Sequence, residues 1–260
     1  HLFDACGLNM RRVLLIAYHY PPMHGSSGLQ RTYRFAQYLR EFGWQPAVLS
    51  IDPRAYQATS AGASPLDGVE VCRAFGMDAA RQLSCFGHYP GFLARPDRWV
   101  SWWLGGVISG LKMISSFRPD VLWSTYPIAT AHLIGHTLAQ RSGLPWVADF
   151  RDPMAHDGYP EDAVTWQSFL RVEEKVFSVA AATTFTTGGA LDFYRQRYQA
   201  THAKFHQIEN GYDEDAFLVA ENRAATEGSA DAGRIVLLHS GVVYPQWRNP
   251  RMLFRAIRQL

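Results

Sequence analysis

The sequence predicts an α/β protein, a parallel sheet flanked by helices. Three observations carry this. Short apolar runs bounded by turn residues alternate with helix-period segments through most of the 260 residues, the order that parallel strands with helical crossovers require. A hydrophobic content of 47%, with 13% aromatic residues, supplies core for one large or two small domains. The first apolar run also leads through a small-residue turn into a chemically marked helix start.

The first strand is placed at Val13–Tyr18 and runs into HYPPMHGSSGLQR, where two prolines precede Gly25 and Gly28. Ser27 and Gln30 match an S-x-x-Q capping box, and Leu29, Tyr33, Ala36 and Leu39 form an apolar stripe, so a helix is predicted over Gly28–Phe42. A small-residue turn at a helix amino terminus offers free backbone N–H groups and the positive end of the dipole, which suits phosphate. Arg31 sharpens the point, because a cation in the first turn is unfavourable unless an anion lies nearby. The alternative is a glycine turn chosen for tight packing, with Arg31 solvated. A nicotinamide-binding GxGxxG loop fits less well, since it should follow the strand directly and here Pro21-Pro22 intervenes; Asp52, after the second strand, is its one supporting acid.

Further strands are placed at Pro46–Ile51, Val69–Phe75, Val121–Ser124, Trp146–Phe150, Thr183–Thr186, Phe205–Glu209 and Arg234–His239. Helices are placed at Trp99–Ser116, Ile128–Ser142, Ala163–Ala181, Gly189–Tyr198 and Pro250–Leu260. Residues 1–11 read as a disordered or vector-derived leader, 12–217 as a first domain and 218–233 as a linker of small and charged residues without apolar periodicity. Residues 234–260 then open a second strand-loop-helix unit, which is expected to be the truncated start of another domain.

Charged residues make up 18% of the chain and the formal net charge is +2, spread along the sequence, so no nucleic-acid partner is expected. Cys6, Cys72 and Cys85 have neither paired nor CxxC spacing, which points to free thiols in a reducing compartment. His132 and His136 lie one helical turn apart but lack a third ligand, so they read as packing or surface histidines and no metal is expected. Glu173-Glu174 read as solvated, because adjacent helical residues point different ways. The stretch Trp99–Leu111 is shorter than the roughly 18 residues that cross a bilayer. Its tryptophans stand beside Arg95, Arg98 and Lys112, a mixture that suits an anionic membrane interface as well as a helix covering a sheet.

Five stretches, VLLIAYHYPPMHGSSGLQRTYRFAQYLREFGWQPAVLS, FRPDVLWSTYP, GLPWVADFRDP, IENGYDEDAF and LLHSGVVYPQWRNPRMLFRAI, together resemble the family 4 glycosyltransferases, enzymes of the GT-B fold built from two Rossmann-like domains. The resemblance is to members that build bacterial surface polysaccharides, and it runs from Arg12 onward. It implies that Gly25 and Gly28 lie under the donor pyrophosphate or an acceptor phosphate, with Arg31 behind them. It implies that Asn210-Gly211 closes the first domain, and that Gly241 and Arg248 face the donor phosphates from the second. Many members carry a histidine where this chain has Arg151, which leaves Asp152 as the carboxylate for sugar hydroxyls; Arg151-Asp152-Pro153 also reads as a turn with a local ion pair. Thr125 and Tyr126 either line the acceptor cleft or form a simple turn. The paired glutamates that hold donor sugar and ribose in this family have no counterpart before Leu260.

The resemblance thus implies a cytoplasmic, retaining glycosyltransferase, peripheral at the inner membrane face. It would move a sugar from a nucleotide-sugar co-substrate to a glycan or lipid-linked acceptor, with no metal or other cofactor. The fragment alone is expected to be inactive. A non-catalytic module that binds an acceptor or a protein partner is the alternative, and a nicotinamide-dependent oxidoreductase a third.

Overall fold

The computed structural model describes residues 10–26, 28–201, 203–227, 236–239, 243 and 249–259. The apolar runs become seven strands: β1 (Arg11–Ile16), β2 (Trp44–Ile51), β3 (Glu70–Ala74), β4 (Val121–Thr125), β5 (Trp146–Arg151), β6 (Ala182–Phe185) and β7 (Lys204–Gln207). They form one sheet in the order β3-β2-β1-β4-β5-β6-β7, every neighbouring pair parallel. The helices are α1 (Gly28–Tyr38), α2 (Ala79–Gln82), α3 (Trp102–Phe117), α4 (Ala129–Ser142), α5 (Ala163–Val179), α6 (Gly188–Arg197), α7 (Glu214–Glu227) and α8 (Arg251–Ile257). A 3-10 turn, Leu39–Phe42, continues α1 to the helix end expected at Phe42.

Strand direction decides where chemistry can occur. The chain lays β1, β2 and β3 outward in one direction, then returns through α3 to place β4 on the other flank of β1. Connections leaving the carboxyl tips of β1 and β4 therefore diverge, and the crevice they leave is the usual ligand position in open parallel sheets.

Both faces of the sheet are covered, as uninterrupted apolar strands demand. Leu14, Ile16, Leu49, Leu122, Ala148 and Phe150 face a core shared with α3, α4, α5 and α6. Val13, Leu15, Val48 and Trp123 face the other way, toward Ala36 and Phe35 of α1. On that side a cavity of about 160 Å³ remains beside α1, lined by Phe35, Trp123, Val147 and Ile208 among others.

The long Trp-rich helix starts at Trp102, because Trp99 is held in the preceding turn where its backbone N–H donates to Asp97 Oδ1 at 3.0 Å. Three glycines let α3 lie close to its neighbours. A Cβ at Gly105 would stand 2.1 Å from the Phe75 carbonyl oxygen, and Cβ atoms at Gly106 and Gly110 would meet Ile134 and Leu138 at 2.5 Å each.

Several expectations are corrected. Residues 218–227 of the expected linker are helical within α7: Ala, Glu and Leu favour helix whether or not a face is docked, so lack of apolar periodicity did not signal loop. Of the expected strand 234–239, residues 234 and 235 lie outside the described residues, while 236–239 are unpaired and exposed; an isolated apolar run has no ladder to join. Glu173 is buried, not solvated. Its carboxylate accepts from Ala155 N (3.0 Å), Tyr194 Oη (2.8 Å), Tyr198 Oη (2.9 Å) and Arg197 Nη1 (3.0 Å). The chain divides into two units, one ending at Asn210 and the other beginning at Gly211.

Replacing Gly105 with Ala sets a methyl group against backbone that cannot rotate away. Denaturant unfolding is expected to show a loss of about 1–3 kcal/mol, whereas unchanged stability would mean that α3 is free to lift off the sheet.

Candidate functional site

The tips of β4, β5 and β6 meet at one buried carboxylate. Asp149 sits in β5 in an otherwise apolar stretch, and such a charge is tolerated in a core only when fully paired. Arg31, from the first turn of α1, approaches side-on, its Nε 2.8 Å from Asp149 Oδ2 and its Nη2 2.8 Å from Oδ1. Thr125 Oγ1 of β4 donates to Oδ2 at 2.7 Å, and Thr184 Oγ1 of β6 donates to Oδ1 at 2.6 Å.

The guanidinium's remaining donors reach the segment that ends the first unit. Nη2 donates to Ile208 O (3.1 Å), and Nη1 to Glu209 O (3.3 Å) and Asn210 Oδ1 (3.2 Å). The ring of Phe35 lies 4.9 Å from the same group. Arg31 is thus neither solvated nor turned toward an open groove: every N–H it owns is used inside the first unit. Thr125 is occupied in the same network.

The open part of the crevice is built by three other groups. His19, just past β1, is buried, and Gly28 opens α1 beside it; a Cβ at Gly28 would lie 2.9 Å from His19 Nδ1 and 3.3 Å from Arg151 Nη1. Only glycine lets those two side chains meet over the helix amino terminus. Gly25 serves the backbone instead, since its φ of +83° makes the turn and a side chain there would find open space.

Arg151 ends β5 in strained geometry. The β5–β6 register shifts between Asp149 and Arg151, φ of Arg151 is +63°, and Asp152 N donates to Phe150 O at 2.7 Å across the tight turn. Thr186 N and Oγ1 both donate to Arg151 O and pin the turn from β6. Its guanidinium makes one long contact, Nη1 to Tyr126 O at 3.5 Å, and its buried Nε has no partner among the described residues. Burial lowers the Arg151 pKa, the signature of a cation short of counter-charge. Burial, and then Arg151, hold His19 down to about 4, so it is neutral near pH 7. Tyr126 is buried beneath the turn, its phenol pKa raised by burial and by Tyr159, while Asp152 is exposed at the rim.

The structure therefore brings together Gly28, Arg151 and Tyr126, sets Asp152 next to them, and places Arg31 and Thr125 on the scaffold behind. Gly241, Arg248 and Ser27 of the capping box lie outside the described residues; Ser26 Oγ accepts from Gly28 N at 3.2 Å. Sequence reasoning missed Asp149 and His19. The first had a signal, a carboxylate inside VADF; the second had only its place after a strand. Asp52 pairs locally with the exposed Arg54, with contacts of 2.9 and 2.7 Å. His132 Nδ1 bonds Ser124 Oγ at 2.7 Å in the core, the packing role expected of it. Among the described residues no group of three or more His, Cys, Asp or Glu side chains is placed to hold a metal.

A family model for the glycosyl transferase 4-like domain matches residues 28–211. No curated protein matches the chain. Among solved structures, sucrose-phosphate synthase from Thermosynechococcus elongatus superposes with a TM-score of 0.58 at 15% identity, over 85% of this chain and 53% of that one. Anabaena HepE in complex with UDP and glucose gives a TM-score of 0.58 at 15% identity, over 96% of this chain and 58% of that one. The HepE complex with UDP-glucose gives 0.54 at 14% over the same shares. At these identities the likeness fixes the fold, and the chain spans little more than half the length of those proteins.

The Asp149 network and His19 each carry a measurable consequence. Asp149→Asn strands Arg31 and is expected to cost about 3–5 kcal/mol, read as a lower denaturation midpoint. His19 binds a proton in the unfolded chain near its ordinary pKa but in the folded chain only near 4. Its contribution to stability is thus present above about pH 6.5 and lost as pH falls toward 4, with a slope of up to about 1.4 kcal/mol per pH unit. Glu173 and Asp97, whose pKa values burial raises, act in the opposite sense, so the difference between wild type and His19→Gln isolates the histidine; parallel pH profiles would contradict the assignment.

Proposed function

The chain belongs to the glycosyl transferase 4-like family, and from that membership we propose that it is the acceptor-side lobe of a retaining GT-B glycosyltransferase that draws on a nucleotide-sugar. The observation that carries this is the placement of an underpartnered cation, Arg151, against the amide-lined start of α1 at the sheet's switch point. UDP and UDP-glucose bound to HepE, a protein of the same fold, support the donor class.

Departure of a nucleoside diphosphate leaves negative charge on the phosphate oxygen that breaks from the anomeric carbon, as positive charge spreads over the sugar ring. Amide N–H groups of the first helical turn and the Arg151 guanidinium meet that charge, or the phosphate of an acceptor, without calling on a metal. Neutral His19 packs beside them without adding a competing cation. Asp152, exposed at the rim, accepts hydrogen bonds from sugar hydroxyls and orients the attacking one. Gly241 and Arg248, which the family resemblance assigns to the donor phosphates, are proposed as further donor contacts. The acceptor is a glycan or lipid-linked sugar, the pathway surface polysaccharide synthesis and the location the cytoplasmic side of the membrane. No helix among the described residues is long and apolar enough to cross that membrane.

The protein is expected to release nucleoside diphosphate from a nucleotide-sugar, and Asp152→Ala to reduce turnover at least tenfold. Unchanged turnover would remove Asp152 from the mechanism. Tight acceptor binding with no turnover of any donor would instead favour a non-catalytic binding module.

A further inference from the structure

The segment that joins β5 to α5 leaves the sheet at Arg151 and carries an aromatic pair that the fold does not bury. Residues 156–159, His-Asp-Gly-Tyr, close a two-residue turn: His156 N donates to Tyr159 O at 2.9 Å, Tyr159 N donates to His156 O at 3.0 Å, and Gly158 supplies a left-handed backbone with φ of +78°. Such a turn sets the flanking side chains opposite each other, and the two rings stack with centroids 5.5 Å apart at 22°. His156 is half-buried, its Nδ1 donating to Asp157 O at 3.0 Å, whereas Tyr159 remains 39% exposed.

The pair stands on a rigid base. Glu173 accepts from Ala155 N, and Arg197 Nη1 donates both to that carboxylate and to Ala155 O, the latter at 2.6 Å. Tyr194 Oη accepts from Met154 N at 2.8 Å, and Trp166 Nε1 donates to His156 O at 3.3 Å. Four side chains of α5 and α6 thus spend polar groups on the backbone of residues 154–156, and the buried Glu173 finds its use as the anchor of this loop. Tyr159 is held close enough to Tyr126, beneath the Arg151 turn, to raise the phenol pKa of Tyr126. An aromatic ring fixed in place at the rim of a crevice yet left open to solvent is built to meet a ligand.

The charge of the loop says which ligand fits. Residues 152–162 include four acids, Asp152, Asp157, Glu161 and Asp162, and no Lys or Arg. Asp162 caps α5 by accepting from Thr165 N at 2.8 Å and lies 4.0 Å from Arg95, while Asp152, Asp157 and Glu161 stand exposed. Carboxylates on the same loop as the ring repel phosphate, which is left to Arg151. A neutral pyranose suits both features, since its C–H face packs on an aromatic ring and its hydroxyls donate to carboxylates.

We infer that Tyr159, backed by His156, is a stacking platform for a neutral pyranose ring, the sugar that accepts transfer. That the bound sugar is the acceptor rests on the glycosyltransferase reading; the binding of a sugar ring does not.

The test is saturation-transfer NMR of the chain with the methyl glycosides of glucose, galactose, mannose, rhamnose and N-acetylglucosamine, and with uridine. Ring C–H protons of at least one glycoside are expected to be saturated, with affinity falling about fivefold or more in Tyr159→Ser and holding within about twofold in Tyr159→Phe, which keeps the ring. Thermal unfolding of Tyr159→Ser is expected at the wild-type midpoint, because the side chain is half-exposed and the loop is anchored at 154–156. No saturation of any glycoside by wild type overturns the inference, as does equal saturation by Tyr159→Ser. Loss in Tyr159→Phe as well traces binding to the hydroxyl and overturns stacking. Uridine signals that fall in Tyr159→Ser while glycoside signals persist also overturn it, since a base would then occupy the ring. Release of UDP from UDP-glucose reports on the glycosyltransferase reading separately, so either can fail while the other stands.

Discussion

A carboxylate in the middle of an apolar strand has to be answered from every side, and Asp149 is answered by three different parts of the chain. Arg31 comes from α1, Thr125 from β4 and Thr184 from β6. Through the same guanidinium the segment 208–210, where the first unit ends, is fastened to the first helix. Because a buried ion pair of this kind adds little net stability over apolar packing, its effect is best seen as geometric: it fixes where the strand tips lie relative to the start of α1.

That fixed frame gives the neighbouring residue its character. Asp149 faces α1 and is saturated, whereas Arg151, two residues on, passes through a register shift and a left-handed backbone to emerge at the crevice with its charge largely unspent. Strain at a strand tip beside a helix amino terminus is where a site is expected, and the proposed function is built on it. Gly28 completes it by leaving out the one methyl group that would separate His19 from Arg151.

Much of the fold was legible because it follows from local pattern. The seven apolar runs between residues 13 and 209 became the seven strands, and the stripe beginning at Leu29 became α1 with its 3-10 extension. Residues 218–227 misled because composition sets helicity while periodicity sets only docking. At the site, the first-turn arginine was rightly read as needing an anion. What sequence could not show is that the anion is internal, more than a hundred residues away, since pairing across a sheet leaves no spacing signature. Arg151 looked like a departure from the family's histidine, and its exposure to the crevice depends on a backbone turn that no propensity announces.

The central claim is that Arg31 builds the frame and Arg151 meets the ligand's charge. A crystal structure of the chain with bound UDP-glucose tests it most directly. The account requires phosphate oxygens within hydrogen-bond distance of the Arg151 guanidinium and the first amides of α1, with the Arg31–Asp149 pair unbroken. Phosphate held by Arg31, with Asp149 released, would contradict it.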